Sequence, residues 1–481
     1  MNTTPALPHK YYKKVNEVIA YMSASDSATI RRNKKTQKNE VDMIHGGLAG
    51  KILLFALPIA AASILQQLFN SADSAVIGQF SSPEALAAVG LNAEPIGIIL
   101  GLITGLSVGV NVLIARYIGM NKRTEIPAAV HTSMLFSLIV GVVLMICGLV
   151  SARPLLILIS TPENILDLGV QYLQIYMLGS PFIVIYNFAS AILRAKGDTR
   201  RPLNALIAAG ILNVILNLFF VIVCRLSVAG VALATDISNV LSAVLTVSFL
   251  MKETDEFHFS LRSLRLKGDD VKRLMAIGLP AGIQEAVFCV SNVFIQAAIN
   301  SFGSDAIAGS AAALNFEYFG YFAVAAFSQA ATTFISQNHA AGEKLRCRRI
   351  FLYCMIFGAL AGAVLSVPFA LSGTFFMRIF SSKEAVLMYA IRRNRLVLLW
   401  EYLVTLYEVP AAVLRGRGHS LLPSVEILCG TIVFRLIWLF TVFARHPVYE
   451  ILCLVWPVSW LLTAAALYIS ILIMKKRNLY D

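Results

Sequence analysis

Residues Leu57–Gly90 read LPIAAASILQQLFNSADSAVIGQFSSPEALAAVG. The run up to Phe80 has the length and apolar character of a membrane-crossing helix, yet it carries one carboxylate, Asp73. Gln66, Asn70 and Asp73 stand at i, i+4 and i+7, so a helix places them on one face. Holding an Asp at the centre of a bilayer costs about 2.5–3.5 kcal/mol even on the lenient insertion scale. A chain that keeps one there has a use for it in handling an ion or a substrate. The alternative is a hydrogen bond that ties two helices together.

Composition widens that reading to the whole chain. Of 481 residues 58% are hydrophobic and only 14% charged, with mean hydropathy +0.73. Soluble domains carry about 25% charged residues, so this is an integral membrane protein with room for about twelve spans of ~20–30 residues. The formal charge of +13 does not call for nucleic acid, because Lys and Arg gather in the cytoplasmic loops of membrane proteins. The cysteines at positions 147, 224, 289, 347, 354, 429 and 453 form no CxxC pair, which argues against a metal site or a disulfide framework.

Residues 1–46 are polar and basic, without a signal-peptide pattern, and read as a mostly disordered cytoplasmic extension. Spans are expected at 51–79, 85–118, 127–151, 165–193, 202–224, 228–251, 273–301, 307–339, 347–374, 384–412, 420–443 and 450–474. This divides the chain into a first lobe (47–251), a cytoplasmic linker (252–272), a second lobe (273–475) and a cytoplasmic tail (476–481). Basic residues such as Lys122, Arg123, Arg200, Arg201, Arg346 and Arg349 fall in alternate connections. Both termini are therefore expected in the cytoplasm of a multi-pass cell-membrane protein. The lobes repeat: Leu57-Pro58 answers Leu279-Pro280, Asn70 answers Asn292, and AILRAKGDTRRP (191–202) answers AVLRGRGHSLLP (412–423). Six spans per half give both lobes the same orientation, a two-lobed transporter arrangement.

On these residues the sequence resembles the multidrug and toxic compound extrusion (MATE) family. The resemblance is carried by Pro58 with Gln66-Gln67, Asp73 and Gly78; Ala85 through Gly90; Leu193-Arg194-Ala195 with Gly197 through Arg200 and Pro202; Gly278-Leu279-Pro280 with Gln284; Phe334 with Gln337-Asn338; and Leu414-Arg415-Gly416 with Gly418. It implies an all-α membrane fold of twelve transmembrane helices in two pseudo-symmetric six-helix lobes. It also implies efflux of organic cations or toxic amphiphiles by antiport against Na+ or H+, with alternating access. In this family a cation site in the first lobe uses an Asp of span one, an Asn and an Asp in span five, and a Thr of span six. The matching positions here are Asp73, Asn213, Asn217 and Thr235. Asn217 departs from the pattern, since it replaces the second carboxylate.

Asn213 and Asn217 are one helical turn apart, so both amides can face one point. With Asp73 and the Thr235 hydroxyl they form an oxygen-rich pocket suited to Na+, while Asp73 alone suits a proton. One carboxylate instead of two tilts the expectation towards H+. Asp236, beside Thr235, points about 100° away on a helix and is not expected to replace the lost charge. Candidate substrate contacts are Gln66, Asn70, Gln284, Glu285, Asn292 and Glu317. Glu285, Cys289, Asn292 and Gln296 form one stripe, expected to face the cleft opposite Asp73. Aromatics such as Phe69, Phe288, Tyr318 and Trp400 are expected in the cleft walls, where ring faces attract organic cations. Arg392, Arg393 and Arg395 are unusual for cation export; structural pairing is expected, Arg395 with Glu401 and Arg435 with Glu426. If they face the cleft, they favour zwitterionic or anionic cargo. The alternative function is therefore a flippase or exporter of a lipid-linked or zwitterionic metabolite in the same superfamily. No HExxH or P-loop appears, so an enzyme or ATPase is not expected. The expected partners are a small-molecule substrate and membrane lipid, for a monomer that binds no nucleic acid. Beyond the coupling ion, Na+ or H+, no cofactor is expected.

Overall fold

A run of apolar helices joined by short polar turns can only build a bundle, and the computed structural model shows one. It describes residues 40–159, 161–379 and 382–477. Most of the expected N-terminal extension, and residues 478–481 of the expected tail, lie outside them. Among the described residues all regular structure is helical. The first half contains α1 (Ala49–Phe80), α2 (Pro83–Gly119), α3 (Ile126–Leu158), the bent pair α4 (Glu163–Leu178 with Ser180–Lys196), α5 (Arg200–Val223) and α6 (Ser227–Met251). The second half contains α7 (Gly268–Asn300), α8 (Ser304–Ala340), α9 (Lys344–Leu371), α10 (Glu384–Gly416), α11 (Leu421–Phe443) and α12 (Tyr449–Lys476).

Ten of these helices are long and apolar enough to cross a bilayer, and α4 makes an eleventh if its arms count as one span. The expected crossing at 307–339 falls on α8, which is 37 residues long but outside that set. The reason is its position. α8 packs on α1, α2, α9 and α10 at once, and most of its buried residues are Ala, Gly, Ser and Thr. A helix surrounded by protein has no need of lipid-like side chains.

The expected helices also carry local breaks. α4 bends by 45° at Gly179. In α10 the stretch Leu398–Val404 tightens to a 3-10 helix. α5 ends in a π-helical turn at Phe219–Val223, and α11 is π-helical at Leu428–Val433 and Leu439–Phe443. The connection 252–272 lies on the start of α3. Lys267 Nζ reaches Glu125 Oε2 at 2.5 Å, and Phe257 and Phe259 are buried.

The halves meet along a ridge of glycines spaced four apart on α2: Gly97, Gly101, Gly105 and Gly109. A Cβ on Gly105 would fall 2.1 Å from the Gly282 nitrogen of α7, and one on Gly109 would fall 2.4 Å from the Leu274 oxygen. Small residues at this period let two helix backbones touch. Hydrogen bonds then stitch one end of the bundle. Thr333 donates to Asn111 at 2.9 Å, Gln337 to the Ala195 carbonyl at 2.7 Å, and Tyr117 to Asp270 at 2.5 Å. Arg346 of α9 donates to the Met43, His45 and Gly46 carbonyls, and Asn338 of α8 also reaches Met43. The segment leading into α1 is thus strapped to the second half.

Candidate functional site

Asp73 lies about three-quarters of the way along α1, where its carboxylate meets side chains of α5 and α6. It is only 7% exposed. The Asn217 side-chain amide donates to its Oδ1, and the Thr235 hydroxyl donates to its Oδ2 at 3.3 Å. Asn217 Nδ2 also reaches Asn213 Oδ1 at 3.2 Å, and Asn213 Nδ2 reaches the Thr235 hydroxyl at 3.3 Å. The fold therefore brings Asp73, Asn213, Asn217 and Thr235 into one cluster from three helices. Asn217 is fully buried, and its carbonyl oxygen has no partner. An unanswered buried acceptor beside a buried carboxylate is a place for a proton or a small cation.

The cluster forms part of the wall of a cavity of about 290 Å³. Gln66, Phe69 and Asn70 of α1 line it, as expected from their shared face. Phe69 lies over Gly210, where a Cβ would stand 1.8 Å from the ring, so that glycine makes room for the aromatic wall. Tyr172, Tyr176 and Tyr186 complete the aromatic lining, and Ser238, Asn239 and Ser242 of α6 the polar one. Asp73 is the one charged residue in this lining. Apolar walls with a few convergent polar groups and a lone carboxylate suit an organic cation.

Asp236 is elsewhere. Its carboxylate fills the space left by Gly179 at the bend of α4, where a Cβ would fall 2.1 Å from Oδ1. It makes no part of the cavity wall.

The second half departs further from expectation. The stripe through Glu285 and Cys289 does not line an open cleft. A Cβ on Gly101 would meet Glu285 at 2.9 Å, and one on Gly97 would meet Cys289 at 3.2 Å. The α2 glycines draw this face of α7 into contact. Gln284 is buried, donates to Glu285 at 3.2 Å, and accepts from Arg415 of α10 at 2.8 Å. Asn292 is half-buried, and none of these residues reaches the Asp73 cavity. Glu317 is held by Arg393 through two hydrogen bonds, at 2.6 and 2.9 Å, with both side chains over 90% buried. Arg392 pairs with Glu450 at 2.9 Å. Neither Arg395 nor Arg435 has the partner expected from sequence proximity: Arg395 is exposed whereas Glu401 is buried. Arg435 donates to Ser459, while Glu426 accepts from Ser470.

The two halves of the fold are matched by one sequence profile, that of MatE, over residues 58–219 and again over 280–441. The chain belongs to the MatE family. Its relatives include the probable multidrug resistance protein YoeA of Bacillus subtilis strain 168, 24% identical over 77% of this chain and 82% of that protein. A FAD transporter of Shewanella oneidensis is 27% identical over 71% of this chain and 77% of its own. Among solved structures, a multidrug resistance MATE transporter of the MOP superfamily in an outward-facing conformation superposes with a TM-score of 0.83. That likeness is at 22% identity and covers 91% of this chain and 97% of the other. This MatE protein is thus a membrane transporter of small molecules and not an enzyme.

The cavity tyrosines were missed by sequence reasoning, although Tyr172 and Tyr176 are one turn apart. The face Thr235, Ser238, Asn239 and Ser242, at i, i+3, i+4 and i+7, was also legible as a polar stripe.

Proposed function

We propose that this MatE protein exports organic cations and cationic amphiphiles by antiport against an inward-moving ion, with the two lobes alternating in access. One observation carries the reading: the lone carboxylate of the cavity, Asp73, is also the centre of the Asn213, Asn217 and Thr235 cluster. A substrate cation and a coupling ion then compete for one charge, so occupancy by either excludes the other. Exchange follows if each favours a different lobe arrangement. A proton is the better coupling ion. Asn217 turns its N–H towards Asp73, so the site offers a single carboxylate and few free oxygens, whereas a bound metal cation wants several oxygen ligands at once.

The stitched end of the bundle adjoins the connections rich in Lys and Arg, which supports a cytoplasmic placement for it. The arrangement seen is then sealed on the inside.

The test is efflux of ethidium from proteoliposomes under separately imposed H+ and Na+ gradients. The expected result is export driven by the H+ gradient and abolished in Asp73→Asn. Export that Asp73→Asn leaves intact, or that needs neither gradient, refutes the mechanism. A preference for FAD over ethidium would move the assignment to anionic cargo.

A further inference from the structure

The second half holds a buried cation that this mechanism does not use. Arg435 of α11 is 1% exposed and is the largest of the fully buried side chains. Its Nε donates to Ser459 Oγ of α12 at 3.2 Å, but Nη1 and Nη2 meet no acceptor. A guanidinium offers a planar fork of donors shaped for a carboxylate or phosphate, and here most of the fork is unanswered.

The neighbouring arginine shows what is missing. The Trp456 indole has Arg393 at 4.6 Å and Arg435 at 5.9 Å from its ring centre. Arg393 carries the Glu317 carboxylate in a two-pronged grip. Arg435 has no such carboxylate grip among the described residues; besides Ser459 and Trp456 it stands over the Phe288 ring of α7, 5.3 Å from its centre. Glu401 of α10 is close enough to act on both guanidinium groups through its charge, yet it makes no hydrogen bond to Arg435. Phe288, whose ring covers the guanidinium, is itself half-buried.

Position argues the same way. The paired profile matches are of equal length, and near their ends they set Arg435 within a residue of the place that Asn213 holds in the first half. A π-helical turn begins two residues after Asn217 in α5, and two such turns flank Arg435 in α11. Such turns are rare and recur at functional sites. The polar centre of one half is built around an acid, and that of the other around a base.

We infer that Arg435 is an anion-recognising centre in the second half, and that the exported amphiphiles include zwitterions whose carboxylate or phosphate it takes. This rests on the transport reading and narrows its substrate class.

The probes are rhodamine 6G, an ester and a simple cation, and rhodamine 19, the same dye with a free carboxylate. Binding to the purified full-length chain in detergent is read by fluorescence anisotropy, whether or not either dye is moved. Rhodamine 19 is expected to bind roughly tenfold more tightly than its ester, a difference of about 1.4 kcal/mol. Arg435→Gln should erase that ratio and leave rhodamine 6G binding within about twofold, and Arg435→Lys should keep part of it. Equal affinities in the native protein, no binding of rhodamine 19, or an equal loss for both dyes in the variants overturns the inference. If Arg435→Gln does not fold, the native ratio and the Lys variant decide. Gradient-driven efflux of rhodamine 6G separately tests the transport reading.

Discussion

The ion pair between Glu317 and Arg393 gives the sharpest test of how the second half is held together. Both side chains are over 90% buried and joined by two hydrogen bonds at 2.6 and 2.9 Å. Removing one partner of such a pair strands a charge and costs about 3–5 kcal/mol. Glu317→Gln strands a guanidinium, which cannot shed its proton. Glu401 is near enough to share that charge, which puts the expected loss at the lower end, about 3 kcal/mol. Arg393→Met should cost less, because a buried carboxyl can neutralise itself by taking up a proton and a thioether can replace the cation over Trp456. The double variant Glu317→Gln/Arg393→Met should recover most of the loss, because it leaves no charge stranded in the interior. The assay is denaturation with sodium dodecyl sulfate from dodecyl maltoside micelles, compared across the four proteins as a double-mutant cycle. A single Glu317→Gln variant as stable as the native protein, with impaired transport, would show that Glu317 serves substrate rather than packing, and the reasoning would fall.

Asn217→Asp restores a second carboxylate beside Asp73 and should make thermal stability in detergent depend on Na+, which the native protein should not show. Gly105→Ala places a Cβ 2.1 Å from the Gly282 backbone and should lower stability by more than about 2 kcal/mol. Gly268→Ala, where a Cβ meets nothing within 4 Å, should stay within about 0.5 kcal/mol. Met43 is 1% exposed beneath the Arg346 strap, so a Met43→Cys thiol should resist maleimide. Adding Arg346→Gln should speed its labelling several-fold; unchanged labelling would mean that the strap does not hold that segment.

Apolar period and loop chemistry were enough to read the helices, because each turns on local composition. The glycine period on α2 was also there to be read, and it explains why Glu285 faces a helix instead of open space. The Asp73 cluster was foreseeable because its members lie at helical spacing on three helices that family likeness had already placed together. The arginines were not. Glu317 and Arg393 are 76 residues apart in sequence, and nothing local says which acid a buried base will meet. The two pairings suggested by proximity each span a break in helical period: Leu398–Val404 tightens between Arg395 and Glu401, and the π-helical stretch Leu428–Val433 separates Glu426 from Arg435.

Duplication gives both halves the same helices, but not the same interior. In the first half, Gly210 and the small residues of α6 leave a cavity with one charge in its wall. In the second, Glu317, Glu401, Glu408, Arg393, Arg415 and Arg435 are all buried. Several of them are tied to partners, as Arg393 is to Glu317 and Glu408 to Ser328. A lone carboxylate beside open space can exchange its counter-ion without breaking a structure. A bidentate pair locked among aromatic rings cannot, since separating it exposes two charges at once. On the proposed mechanism the exchange of ions therefore belongs to the first half, and the second half moves as a braced body in which Arg435, with both terminal guanidinium nitrogens unanswered, reads the cargo.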